Sequence, residues 1–119
     1  MKKLDASKVH SAAAKAMNEF HAGIVSEVER AVGEHDVVVV GMAQNPVVKK
    51  ARKVLGAKGV QYHYIAHGSY SSKWKERLAI KLWSGWPTFP MVFIKGTLIG
   101  GCAELEALIA SGEFDTMLA

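Results

Sequence analysis

Apolar residues recur along this chain with two periods, one helical and one extended, and the order of the periods outlines the fold before any single residue is interpreted. Over residues 7–34 the spacing is three and four: Val9, Ala13, Ala16, Met17 and Phe20, then Ile24, Val25, Val28, Ala31 and Val32. This predicts two helices, broken near Gly23, whose apolar stripes pack on a core or cover a sheet edge or partner surface. Residues 37–40 are four consecutive valines, the mark of a central strand buried on both faces. Asn45-Pro46 has the form of an N-cap followed by proline at the first helical position. The stripe Val47, Val48, Ala51, Val54 and Leu55 then predicts a helix that stops at Gly56.

Val60, Tyr62 and Tyr64 alternate with Gln61, His63 and Ile65, giving a second strand. Its crossover from the first runs through a helix, so the two are parallel. Ser71 or Ser72 is a candidate cap for a helix with Trp74, Leu78 and Leu82 on one side, ending at Ser84-Gly85. The loop Trp86-Pro87-Thr88-Phe89-Pro90 follows. Residues 91–94 and 97–99 are short apolar strands whose Lys95-Gly96 connection suits a tight antiparallel hairpin. After Gly100-Gly101, Leu105, Leu108 and Ile109 mark a helix that stops at Gly112, and Phe114, Met117 and Leu118 mark a closing turn.

At 119 residues the chain has the size of one domain, 1–119, with residues 1–35 as a helical extension ahead of a core at 36–118. No apolar run approaches the ~18 residues needed to span a bilayer, so no membrane association is expected. Met1-Lys2-Lys3 is followed by Asp5 and Lys8 rather than by a secretory apolar stretch. Cys102 is the only cysteine, which excludes an intrachain disulfide, a CxxC motif and a multi-cysteine zinc site. A reducing cytoplasm is the expected location. The net charge of +4 names no partner. Lys49, Lys50, Arg52, Lys53 and Lys58 lack interleaved aromatics and read as a solvated helix face, so no nucleic acid is expected. His10, His21, His35, His63 and His67 lack the spacing of a zinc site.

The segments Ser84-Gly85-Trp86-Pro87-Thr88-Phe89-Pro90, Phe93-Ile94-Lys95-Gly96, Gly100-Gly101-Cys102 and Ser111-Gly112-Glu113-Phe114 occur in that order. They resemble the monothiol glutaredoxins, whose pattern is WPT(x)P, a strand, a turn and GGCD. Several separated motifs in the right order are far more specific than any one of them. The resemblance covers roughly residues 36–118. It implies an α/β thioredoxin fold in its glutaredoxin form, a four-stranded mixed sheet with flanking helices, here with an extended N-terminal helical segment.

In that family a Cys-Gly-Phe-Ser tetrad opens the helix after the first strand, where free backbone N–H groups and the helix dipole favour a thiolate. Here the tetrad is Asn45-Pro46-Val47-Val48, and the lysine just after the strand is Met42. The resemblance implies glutathione contacts at Arg77, Thr88, Phe89, Pro90, Gly101 and Cys102, with Pro90 cis and the Phe89 backbone pairing with the ligand like an added strand. The aspartate that usually follows the cysteine is Ala103, and the adjacent Glu104 points in a different direction. Trp86 belongs to the loop bordering this groove.

Asn45 is accounted for by capping alone. Cys102 is either a thiol activated near a helix N-terminus or a small residue tucked beside the Gly-Gly turn, and the inert reading is preferred. The leading expectation is a glutaredoxin-like protein without a confident catalytic residue. It would bind glutathione weakly, an extended peptide, or a protein partner or second copy, and require no cofactor. The alternative is a monothiol glutathione-dependent disulfide oxidoreductase, or an iron–sulfur glutaredoxin, that uses Cys102. A [2Fe–2S] cluster is not expected, because the usual cysteine ligand is replaced by Asn45. In a third reading, residues 1–34 occupy or extend the groove of an interaction subunit.

Overall fold

The computed structural model describes residues 2–67 and 73–119. A short 3-10 turn (Ala6–Lys8) leads into α1 (Ser11–Glu19) and α2 (Ala22–Glu34), followed by β1 (Val37–Gly41), α3 (Pro46–Ala57), β2 (His63–Ala66) and α4 (Trp74–Ser84). The hairpin β3 (Met91–Ile94) and β4 (Thr97–Gly100) precedes α5 (Cys102–Ser111) and α6 (Glu113–Leu118). The four strands form one mixed sheet in the order β2-β1-β3-β4. β1 is parallel to β2 and antiparallel to β3, and β3 is antiparallel to β4. This is the α/β thioredoxin-type arrangement expected from the sequence.

The valine run of β1 is almost wholly removed from water, Val37 at 1% exposure and Val38, Val39 and Val40 at 0%. Successive side chains point to opposite faces, so the strand feeds two cores. Val38 and Val40 join Val28 and Ala31 of α2 and Ile80 of α4 on one face. Val37 and Val39 join Ala51 and Leu55 of α3, Leu105 of α5 and Phe114 of α6 on the other. The hairpin turn has positive φ at both Lys95 (49°) and Gly96 (82°), the geometry that matches strand twist in a two-residue connection.

Several expectations are corrected. The break between the first two helices falls at His21, which adopts φ 45°, and Gly23 lies inside α2. No residue of α1 is buried, so its stripe is not part of the core, whereas α2 contributes Val28 and Ala31. α3 continues past Gly56 to Ala57, and Gly59 takes the left-handed conformation (φ 71°) instead. β2 begins only at His63, because the Val60 N–H is committed to the Leu55 carbonyl in the turn after α3 (3.1 Å). On α4 the buried side chains are Arg77, Ala79 and Ile80. The Trp74, Leu78 and Leu82 stripe faces solvent, 59%, 37% and 60% exposed. The candidate caps Ser71 and Ser72 lie outside the described residues.

β1 ends where it must pass closely under the head of α3. A Cβ added at Gly41 would stand 2.6 and 2.9 Å from the two methyl carbons of Val48, itself 1% exposed. We expect Gly41→Ala to destabilise the fold by about 1–3 kcal/mol through overpacking. The check is the urea midpoint, at an unchanged denaturant slope.

Candidate functional site

The C-terminal end of β1, the head of α3, the loop before β3 and the start of α5 converge through the sheet topology. Asn45 sits in extended conformation ahead of α3, and its Oδ1 accepts hydrogen bonds from the N–H groups of Val47 (2.9 Å) and Val48 (3.0 Å). Pro46, at the first helical position, has no N–H to satisfy. The first free donors of this helix head are therefore bound by the Asn45 amide oxygen. The preceding Met42 is buried at 6% exposure and offers no charge to a ligand.

Cys102 opens α5 beside α3 and is 5% exposed. Its Sγ donates to Glu106 Oε1 at 3.4 Å, and that carboxylate pairs with Lys50 of α3 at 3.3 Å. Burial, reinforced by the hydrogen bond to Glu106, pushes the thiol up to about 11. The thiol form is therefore favoured at neutral pH. The helix N-terminus does not activate this sulfur, because burial first, and then the carboxylate one turn along, oppose ionisation.

The Phe89–Pro90 peptide is cis, as expected. The Phe89 ring is buried in the core, with Lys81 Nζ 5.5 Å from its centroid. Its backbone makes no hydrogen bond to the backbone of another described residue. Thr88 beside it is exposed. Trp86 packs against the same core, and its indole Nε1 is buried without a hydrogen-bond partner among the described residues. Ser84 Oγ fixes the start of this loop by accepting from the Trp86 N–H at 3.0 Å.

Two of the expected glutathione contacts are committed elsewhere. The Gly101 N–H donates to Glu104 Oε1 at 2.8 Å. Glu104 is thus an N-terminal cap of α5 and does not replace the carboxylate lost at Ala103. Arg77, anticipated as a carboxylate clamp, is 7% exposed and donates through Nη1 to the His67 carbonyl at 3.0 Å. The His67 N–H in turn donates to Gly41 O (3.0 Å). Arg77 thereby ties α4 to the ends of β2 and β1, a role helical periodicity could not reveal.

His67 had no sequence signal beyond its place after an alternating strand. It is 6% exposed and its Nε2 has no hydrogen-bond partner among the described residues. Burial lowers its pKa from 6.5, outweighing the opposing pull of Glu27.

Two measurements follow from these groups. Alkylation of Cys102 by iodoacetamide in the folded protein is expected to be slow at pH 7 and to accelerate as pH rises toward about 11; a plateau near pH 8 would show an activated thiol. The neutral, buried His67 contributes stability that is present above about pH 6.5 and is lost as pH falls through its lower folded-state value. Wild type should therefore lose stability more steeply than His67→Gln on acidification below that pH, read by urea unfolding.

The glutaredoxin family profile matches residues 37–99. The chain is 54% identical over 88 residues to a glutaredoxin-like protein of Dictyostelium discoideum, an alignment covering 74% of this chain and 72% of that one. It is 34% identical over 98 residues to the chloroplastic bifunctional monothiol glutaredoxin-S16 of Arabidopsis thaliana, covering 76% of this chain but only 33% of that one. The backbone is similar to the crystal structure of a buckwheat glutaredoxin–glutathione complex, with a TM-score of 0.71 at 23% identity over 82% of this chain and 88% of that one. By the matched profile and the extent of these identities, the chain belongs to the glutaredoxin family.

Proposed function

We propose that this protein is a recognition module that holds an extended ligand against the Phe89–Pro90 segment and performs no thiol–disulfide exchange. The observation that carries this reading is the state of the sulfur: Asn45 occupies and caps the helix head, while the lone thiol of Cys102 is buried and held protonated. Disulfide exchange proceeds through a thiolate, and neither position supplies one. Recognition needs only the edge that remains. The Phe89 backbone, unpaired with other described backbone groups, can form strand-like hydrogen bonds to a peptide, with exposed Thr88 beside it.

Glutathione is the small ligand to test first, because the structurally similar buckwheat protein is in complex with it. With Gly101 N–H bound to Glu104 and Arg77 bound to His67 O, its carboxylates meet fewer donors, and an affinity on the order of 1 mM is expected. A protein strand presented to the same edge is the natural larger ligand, in the reducing cytoplasm that a lone thiol suits. The residues present do not fit a [2Fe–2S] cluster: it needs cysteinate ligands, and the position that would supply one is an amide already satisfied by two N–H groups.

Titration with reduced glutathione, followed by amide NMR, should move the Thr88 and Phe89 signals; unmoved signals at concentrations well above millimolar would remove the groove from the proposal. In a glutathione-coupled assay on a mixed disulfide the wild type should show no turnover, and Cys102→Ser should change nothing. Turnover that Cys102→Ser abolishes would establish the oxidoreductase reading instead. Asn45→Cys places a thiol before the Val47 and Val48 N–H groups, and its pKa should fall below that of an ordinary cysteine.

A further inference from the structure

The N-terminal segment and the exposed side of α4 enclose a groove of about 520 Å³ that lies outside the 37–99 family match for most of its wall. Its apolar surface comes from Leu4, Val9, Met17 and Leu82. Leu4, Met17 and Leu82 are 71%, 64% and 60% exposed, an arrangement a free surface does not favour. Leu82 continues the stripe of Leu78 and Trp74 along α4. A second hollow of about 470 Å³ shares Lys3, Met17 and Leu82 with the first and extends toward Phe20, Val25 and Trp83. The two form one apolar strip with a Met17–Leu82 ridge.

The charged residues that line the larger hollow have one sign. Lys2, Lys3, Lys8 and Lys81 line the groove together with His10, and no acidic residue does so among the described residues. None of these four lysines forms an ion pair with another described residue. Asp5, next to Leu4, is committed to accepting from the Ser7 N–H at 2.8 Å. Nearby Glu19 is paired with Lys15.

We propose that this groove docks an amphipathic helix of a partner protein whose apolar side chains enter the two hollows and whose acidic flanks meet the lysines. Two apolar hollows that share Met17 and Leu82 in their walls suit the successive apolar side chains of one helix face, the pattern of helix-in-groove recognition. Unpaired lysines around an apolar floor supply the charge complementarity that selects an acidic partner. A second copy of this chain is disfavoured, since a symmetric contact sets lysine against lysine. A lipid surface would use the charge but leave the hollows empty. The groove shares Lys81 with the surroundings of Phe89, but Leu4, Met17 and Leu82 belong to the groove alone, so either proposal can fail without the other.

The test titrates the full-length ¹⁵N-labelled protein with a short synthetic helix bearing leucines at i, i+3, i+4 and i+7 and glutamates elsewhere. The expected result is saturable shifts at Leu4, Met17, Leu82 and the Trp83 indole, weakened by salt. Met17→Asp and Leu82→Asp should each weaken binding by about tenfold or more, as charge placed at a contact of this kind does. Both side chains are largely exposed, so unchanged thermal unfolding will verify that the variants remain folded. Three results would overturn the proposal: no shifts, equal binding of the same peptide with lysine in place of glutamate, or binding to phosphatidylserine-containing vesicles but not to the peptide.

Discussion

The burial of β1 on both faces is the constraint from which the rest of the molecule takes its position. Four valines within 1% of complete burial can be covered only by helices on either side, which places α2 and α4 on one face and α3, α5 and α6 on the other. Because β1 lies between β2 and β3, its last residue also fixes what surrounds the helix head. Gly41 accepts the His67 N–H on one side, and the absence of a side chain lets Val48 of α3 close over it. The strand that anchors the core thus also sets the geometry of the site.

At that site, hydrogen-bonding groups that would face a ligand are satisfied from within the protein. Asn45 takes the first donors of α3, Glu104 takes the Gly101 N–H, and the His67 carbonyl takes a donor of Arg77. Cys102 is drawn into the same economy through Glu106 and Lys50. The buried bond from Arg77 to the His67 carbonyl matters most, because a buried polar group without a partner costs more than a made hydrogen bond returns. The Phe89 backbone, by contrast, makes no hydrogen bond to the backbone of another described residue.

The apolar surface left out of the core gathers along the N-terminal segment and the outer side of α4. α1 buries nothing, and the Trp74, Leu78 and Leu82 side of α4 is turned outward next to it. Lysines from the N-terminal segment and α4 then give this surface a sign.

The sequence by itself determined the order of elements, the two-faced central strand, the hairpin at Lys95-Gly96 and the Asn45 cap, because each depends on local chemistry: side-chain period, turn conformation, or a side-chain oxygen placed next to free helix N–H groups. Tertiary structure decided which stripe of a helix faces inward. On α4, Trp74, Leu78 and Leu82 share one side at four-residue spacing while Arg77, Ile80 and Trp83 share another at three, and periodicity cannot choose between them. The sheet chose the second, burying an arginine because the His67 carbonyl was there to receive it. Glu106 meets Cys102 one turn along the same helix, but only the assembled fold brought Lys50 of α3 to that carboxylate and took the thiol out of water, and burial is what most raises its pKa.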